Sequence, residues 1–165
     1  MASWLLLAIG AQFITAVSVL IDRQIVVKAQ HIGKPIVYAF YVSILSVFVI
    51  VLIPFGVSIP SLALLGFALG HALAFFCGIY FLYSALKDAR ASDVAPVVGA
   101  TSAIATLIAA PLILDGDLSE SVIAPIIFLV VGTALISHFH FTRAALRYTI
   151  LSGIAFGAVA MSAKL

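Results

Sequence analysis

The sequence predicts an all-α fold: a polytopic transmembrane helical bundle with five complete crossings plus a truncated sixth. Three observations carry this. Hydrophobic residues make up 65% of the chain and charged residues only 8%, with a mean hydropathy of +1.33. A soluble domain has about a quarter of its residues charged. The apolar runs approach the roughly 20 residues that a helix needs to cross a bilayer core, and none shows the ten-residue alternation of barrel strands. The few charges are gathered into short stretches between those runs.

Segment 1 runs from about Trp4 to Ile21, with Lys28 as the limit of a longer, tilted helix. Its Gln12, Thr15, Ser18 and Asp22 fall within about 120° of one helical face. Segment 2 runs from Pro35 to Pro54, and Pro35 suits a first helical turn because the N–H it lacks is unpaired there anyway. Segment 3 covers Leu62 to Leu86 and carries Gly66, Gly70, Ala74 and Gly78 at four-residue intervals. Small residues at that spacing let membrane helices approach closely, so helix packing is their expected role. Segment 4, Val94 to Leu114, lies between a mixed loop (Lys87, Asp88, Arg90, Asp93) and an acidic one (Asp115, Asp117, Glu120). Segment 5 runs from Ser121 to Ser137. Segment 6 starts near Tyr148, ends with the chain at Leu165, and repeats the small-residue device at Gly153 and Gly157.

Cations occupy alternate connections. Arg23, Lys28 and Lys34 lie between segments 1 and 2, Lys87 and Arg90 between 3 and 4, and Arg143 and Arg147 between 5 and 6. The amino terminus and the 2–3 and 4–5 loops carry none. Short cation-rich loops face the cytoplasm, which puts the amino terminus outside. Met1-Ala2-Ser3-Trp4 has no basic stretch ahead of its apolar run, so no secretory signal is expected. The single cysteine, Cys77, excludes an internal disulfide and reads as a small hydrophobe in a helix interface. His138 and His140 are one residue apart without a nearby cysteine or carboxylate, which reads as loop rather than metal.

Several short stretches resemble the repeat unit of the EamA family in the drug/metabolite transporter superfamily. Tyr83-Ser84-Ala85-Leu86-Lys87 resembles the end of the family's third helix, and Ala91-Ser92-Asp93-Val94-Ala95-Pro96 the turn that opens its fourth. Gly116-Asp117-Leu118-Ser119 is similar to the family's Gly-Glu-x-Leu-Ser turn, and Gly132 stands where its fifth helix has glycine. The resemblance implies a five-helix repeat over residues 3–137, a connecting loop at 138–147 and the first helix of a second, inverted repeat at 148–165. A shift of 142 lays Ala158 on Ala16 and Val159 on Val17. On this reading the chain is a fragment of a ten-helix protein or a subunit completed by a partner, and segment 6 lacks its packing partners. The resemblance also implies cytoplasmic termini, opposite to the cation pattern; the cations are followed here.

The candidate substrate-path residues are His71, Gln12, Thr15, Tyr41 and Tyr80. His71 is the only titratable group near the middle of a segment, and such groups are expensive enough to imply either a hydrogen bond to a neighbouring helix or a role in transport. Gln12 lies at a depth where the superfamily's small multidrug-resistance branch has a carboxylate; an amide cannot exchange protons, so that coupling does not transfer. Tyr38 and Tyr83 read as interfacial anchors, whereas Tyr41 and Tyr80, one turn deeper, are placed to stack on an organic substrate. Asp22, beside Arg23, reads as a local ion pair. No enzyme motif occurs, and no cofactor, metal or nucleic-acid partner is implied. The expected function is secondary transport of a small organic metabolite or drug in a bacterial or archaeal plasma membrane. The alternative is a non-transporting or lipid-carrier flippase subunit, working as a homodimer or with a partner chain.

Overall fold

A computed structural model describes residues 2–28, 34–45, 48, 51, 61–113, 120–137 and 141–163. Its elements are α1 (Ala2–Lys28), α2 (Pro35–Leu45), α3 (Leu62–Asp88), α4 (Ala91–Ile113), α5 (Glu120–Ile136) and α6 (Arg143–Ser162). Among the described residues there is no strand. Four helices, α1, α3, α4 and α6, are long and apolar enough to cross a membrane. The chain is a membrane protein. As described, α2 and α5 are shorter, at 11 and 17 residues. The remainder of segment 2, the Gly116–Ser119 turn, the acidic residues Asp115 and Asp117, and His138 and His140 lie outside the described residues.

Helix ends differ from the sequence reading for local reasons. Ser61 caps α3, its hydroxyl accepting from the Leu64 amide at 3.3 Å. Thr142 caps α6 in the same way, accepting from Ala145 N–H at 3.1 Å. A capping side chain satisfies one of the amides a helix start leaves open, so α6 begins at Arg143 rather than near Tyr148. The expected mixed-charge loop shrinks to Ala89-Arg90, because Ala91, Ser92 and Asp93 form the first turn of α4. A carboxylate there complements the helix dipole.

The buried core gathers where the cation-bearing connections lie. Val26 near the end of α1, Ala39 of α2, Ile79, Tyr83 and Leu86 of α3, Val94 and Val98 of α4, and Ala145 of α6 form one cluster. Towards the opposite end, Leu6, Leu7, Leu69 and Leu73 are exposed, as suits side chains facing lipid tails. Cys77 also faces outward rather than into a helix interface.

The most extensive pairings are α3 with α6 and α4 with α6. A Cβ at Gly153 would lie 2.5 Å from Thr101 Cβ and 3.0 Å from the Val98 carbonyl oxygen. One at Gly157 would lie 2.8 Å from Ala105 Cβ. Only glycine permits α6 to lie this close against α4. On the α3 side, Ser152 Oγ donates to the Gly78 carbonyl at 2.9 Å, and Phe156 covers Gly78 at the distance of a tight contact. Segment 6 is therefore not without packing partners; it is the best-packed apolar helix in the bundle. Gly66 and Gly70, expected to pack, have nothing within 4 Å.

Candidate functional site

A groove of about 380 Å³ opens between α1 and α4. Gln12, Thr15, Ala16 and Val19 form one wall, and Ala95, Val98, Gly99 and Ser102 the other, with Leu82 of α3 and Phe156 of α6 behind them. Small residues on both walls, Ala16 on one and Ala95, Gly99 and Ser102 on the other, leave it room. A Cβ at Gly99 would meet nothing within 4 Å, so glycine here widens the groove instead of closing a contact. A second hollow of about 340 Å³ shares Ala16, Val19 and Ala95 and continues past Ser92 towards Ile136 of α5.

Among the described residues no charged side chain lines the groove. Thr15 Oγ1 donates its proton to the Ala11 carbonyl at 2.9 Å, leaving only lone pairs for anything beside it. Gln12 brings an amide, which has two donor hydrogens and an acceptor oxygen. The Phe156 ring is held by Gly78 on one side and by Phe75, edge-on with centroids 6.2 Å apart.

One turn beyond Val19 the same strip of α1 reaches Asp22, and there the helix is tied down. Tyr38 of α2 donates its hydroxyl to Asp22 Oδ1 at 2.6 Å, and Tyr83 of α3 to Oδ2 at 3.4 Å. The two rings meet with centroids 4.6 Å apart. Arg23 Nε donates to the Ala89 carbonyl at 3.2 Å. The expected Asp22–Arg23 ion pair is thus replaced: the carboxylate takes two tyrosine hydroxyls, and the guanidinium caps the end of α3. Tyr38 and Tyr83 are not simple interfacial anchors; Tyr83 is only 3% exposed.

His71 stands apart from the groove, half-buried on α3, with Nδ1 2.8 Å from Ser162 Oγ of α6. The serine hydroxyl also reaches the Val159 carbonyl at 2.9 Å. The His71–Ser162 pair is one interhelical hydrogen bond, with the donor set by the imidazole tautomer. This joins the closing turn of α6 to α3.

Of the substrate-path candidates, the structure brings Gln12 and Thr15 together and leaves the others elsewhere. Tyr41 is 55% exposed on α2, and the Tyr80 ring lies against Phe81; neither lines the groove. Phe156, Gly99 and Ser102 were not singled out from sequence. Ala95, Gly99 and Ser102 recur at helical spacing on segment 4, a small-residue face that was there to be read. Phe156 had no such signal, being one aromatic in an apolar run. Among the described residues no group of three His, Cys, Asp or Glu side chains gathers as a metal site would need. No family model matches the chain, and no curated protein or solved structure does.

Proposed function

We propose that the protein is a multi-pass secondary transporter of EamA type, carrying a small organic molecule through the groove between α1 and α4. The observation that carries this reading is the groove itself: polar residues of α1 facing a wall of small residues, within helices of membrane-spanning length. On this reading five crossings and a sixth traverse the bilayer, and the cation-rich connections face the cytoplasm. The motif resemblance at residues 83–87 and 91–96 supports the family, and the weak packing of the first half of α1 supports alternating exposure, because elements with few buried contacts open most readily.

Flux tests it directly. Proteoliposomes loaded with a defined mixture of neutral, anionic and cationic organic compounds are compared with protein-free liposomes by mass spectrometry. Faster release of at least one compound is expected, with a tenfold or greater drop for Gln12→Leu. Release no faster than from protein-free liposomes for every compound contradicts transport by this chain. For topology, cysteines placed at Ser58 and Ser119 in a Cys77→Ala background should react with an impermeant thiol reagent on intact cells. Reaction only after lysis would reverse the orientation.

A second reading is a membrane subunit that works beside a partner chain. The exposed apolar residues Leu6, Leu7, Phe13 and Ile14 on α1, 69–75% accessible, support it. It requires a stable dimer or hetero-complex in mild detergent and no flux from the chain alone.

A further inference from the structure

We propose that the groove selects an uncharged, hydrogen-bonding organic molecule with a flat apolar body, and turns away ions of either sign; this rests on the transport reading above. The groove's volume, about 380 Å³, is in the usual range for a small-molecule site. Among the described residues its lining offers one side-chain amide, two hydroxyls and otherwise hydrocarbon, with no counter-charge for an ion. An ion held among membrane helices loses its water and needs an opposite charge or a ring of carbonyl oxygens to replace it. Neither is present.

The charged groups closest along the chain are already engaged. Asp22 is held by the Tyr38 and Tyr83 hydroxyls, and Arg23 by the Ala89 carbonyl. Asp93 is 2% exposed in the first turn of α4 and is itself engaged within the protein. What the groove does offer is specific. Gln12 has no hydrogen-bond partner among the described residues, so its amide is available to donate to a ligand oxygen or to accept from a ligand N–H or O–H. Phe156 lines the groove and is held in place by Gly78 and Phe75; an aromatic side chain there suits a flat ring, for which it provides offset or edge contacts.

Photolabelling in lipid nanodiscs separates charge class from transport. The probes are benzophenone, its anion 4-benzoylbenzoate and its cation (4-benzoylbenzyl)trimethylammonium, at equal concentration. Adducts on residues 12–19 and 95–102 are normalised to those on the outward face of α5 around Leu135, which is 81% exposed, to remove simple partitioning into lipid. Expected are saturable benzophenone adducts at the groove, at least tenfold above either ion, and a fivefold or greater loss on Gln12→Leu. Gln12→Glu should shift the preference to the cation, and this variant decides the matter if Gln12→Leu does not remain monodisperse. Equal labelling by the ions, or benzophenone adducts indifferent to both substitutions, overturns the proposal. The two readings fail separately. Selective labelling without flux removes transport and keeps the ligand class, whereas flux of an ion with labelling unselective removes the ligand class and keeps transport.

Discussion

The helices α1 and α6 have matching roles in the sequence, each reading as the opening helix of a repeat, yet they are held in opposite ways. In α6 a third of the most apolar window is buried; in α1 none of it is. Gly153 and Gly157 bring α6 to within backbone contact of α4, while Ser152 at its middle and Ser162 in its last turn bond it to α3. α1 has small residues too, but Gly10 meets nothing within 4 Å. Its attachments gather in its second half, through Val19, Asp22, Arg23 and Val26. Both helices are long and apolar enough to cross a membrane, and hydrophobicity does not decide which of them packs. Close approach and interhelical hydrogen bonds decide that, because lipid is as good a solvent for a leucine as another helix is. α6 belongs to a rigid scaffold with α3 and α4, and α1 is a wall fastened at one end, with the groove between them.

The largest expected effect attacks the scaffold. Gly153→Ala puts a methyl 3.0 Å from the Val98 carbonyl oxygen, a backbone atom that cannot swing aside. Overpacking of this kind costs about 1–3 kcal/mol, read as a lower unfolding midpoint in detergent by circular dichroism. Gly66→Ala and Gly70→Ala, with open space around them, should be neutral or gain up to about 1 kcal/mol from helix propensity. Equal losses at all three positions would mean that α6 is not specially packed.

A middle-sized effect is expected at the fastening of α1. Asp22→Asn weakens two hydrogen bonds to a charged acceptor, worth about 1.5 kcal/mol or more. Amide exchange should rise in the last turns of α1 and stay unchanged in α6. Tyr38→Phe, which removes the 2.6 Å bond, should matter more than Tyr83→Phe, which removes the 3.4 Å one. Faster exchange spread over α6 as well would join the two helices into one cooperative unit.

The part of this contrast legible in the sequence has a clear boundary. Helical class and the positions of α3, α4 and α5 follow from hydropathy, because crossing length is a property of each segment alone. The polar face of segment 1 likewise pointed to Gln12 and Thr15. Four-residue spacing, however, is the same for Gly66, Gly70 and Gly78, and only Gly78 meets a neighbour, because Phe156 reaches α3 at that level and no higher. The tyrosine contacts are hidden from sequence for a related reason. Depth along the helix favoured Tyr41 and Tyr80, but a hydroxyl goes to the best acceptor within reach, and Asp22 faces Tyr38 and Tyr83. Facts that depend on which distant helix arrives cannot be read from spacing within one.

The smallest expected effect lies at the far end of α6. His71→Leu and Ser162→Ala, alone and together, form a double-mutant cycle across the 2.8 Å contact. Interhelical hydrogen bonds in membranes average about 0.6 kcal/mol in such cycles, and a coupling of that size is expected. His71→Gln, which can still hydrogen-bond to Ser162, should retain most of it. No coupling would take His71 out of the scaffold and return it to consideration as a substrate contact.

The relative freedom of the two helices is measurable directly. Spin labels at the exposed positions Leu6 of α1, Ile108 of α4 and Ile154 of α6 give two distances by pulsed electron–electron resonance, taken on the full chain in lipid nanodiscs. A narrow distribution between Ile108 and Ile154 and a broad or two-peaked one between Leu6 and Ile108 are expected. Two equally narrow distributions would contradict the account, because α1 would then be as fixed as α6 and the groove would have no moving wall.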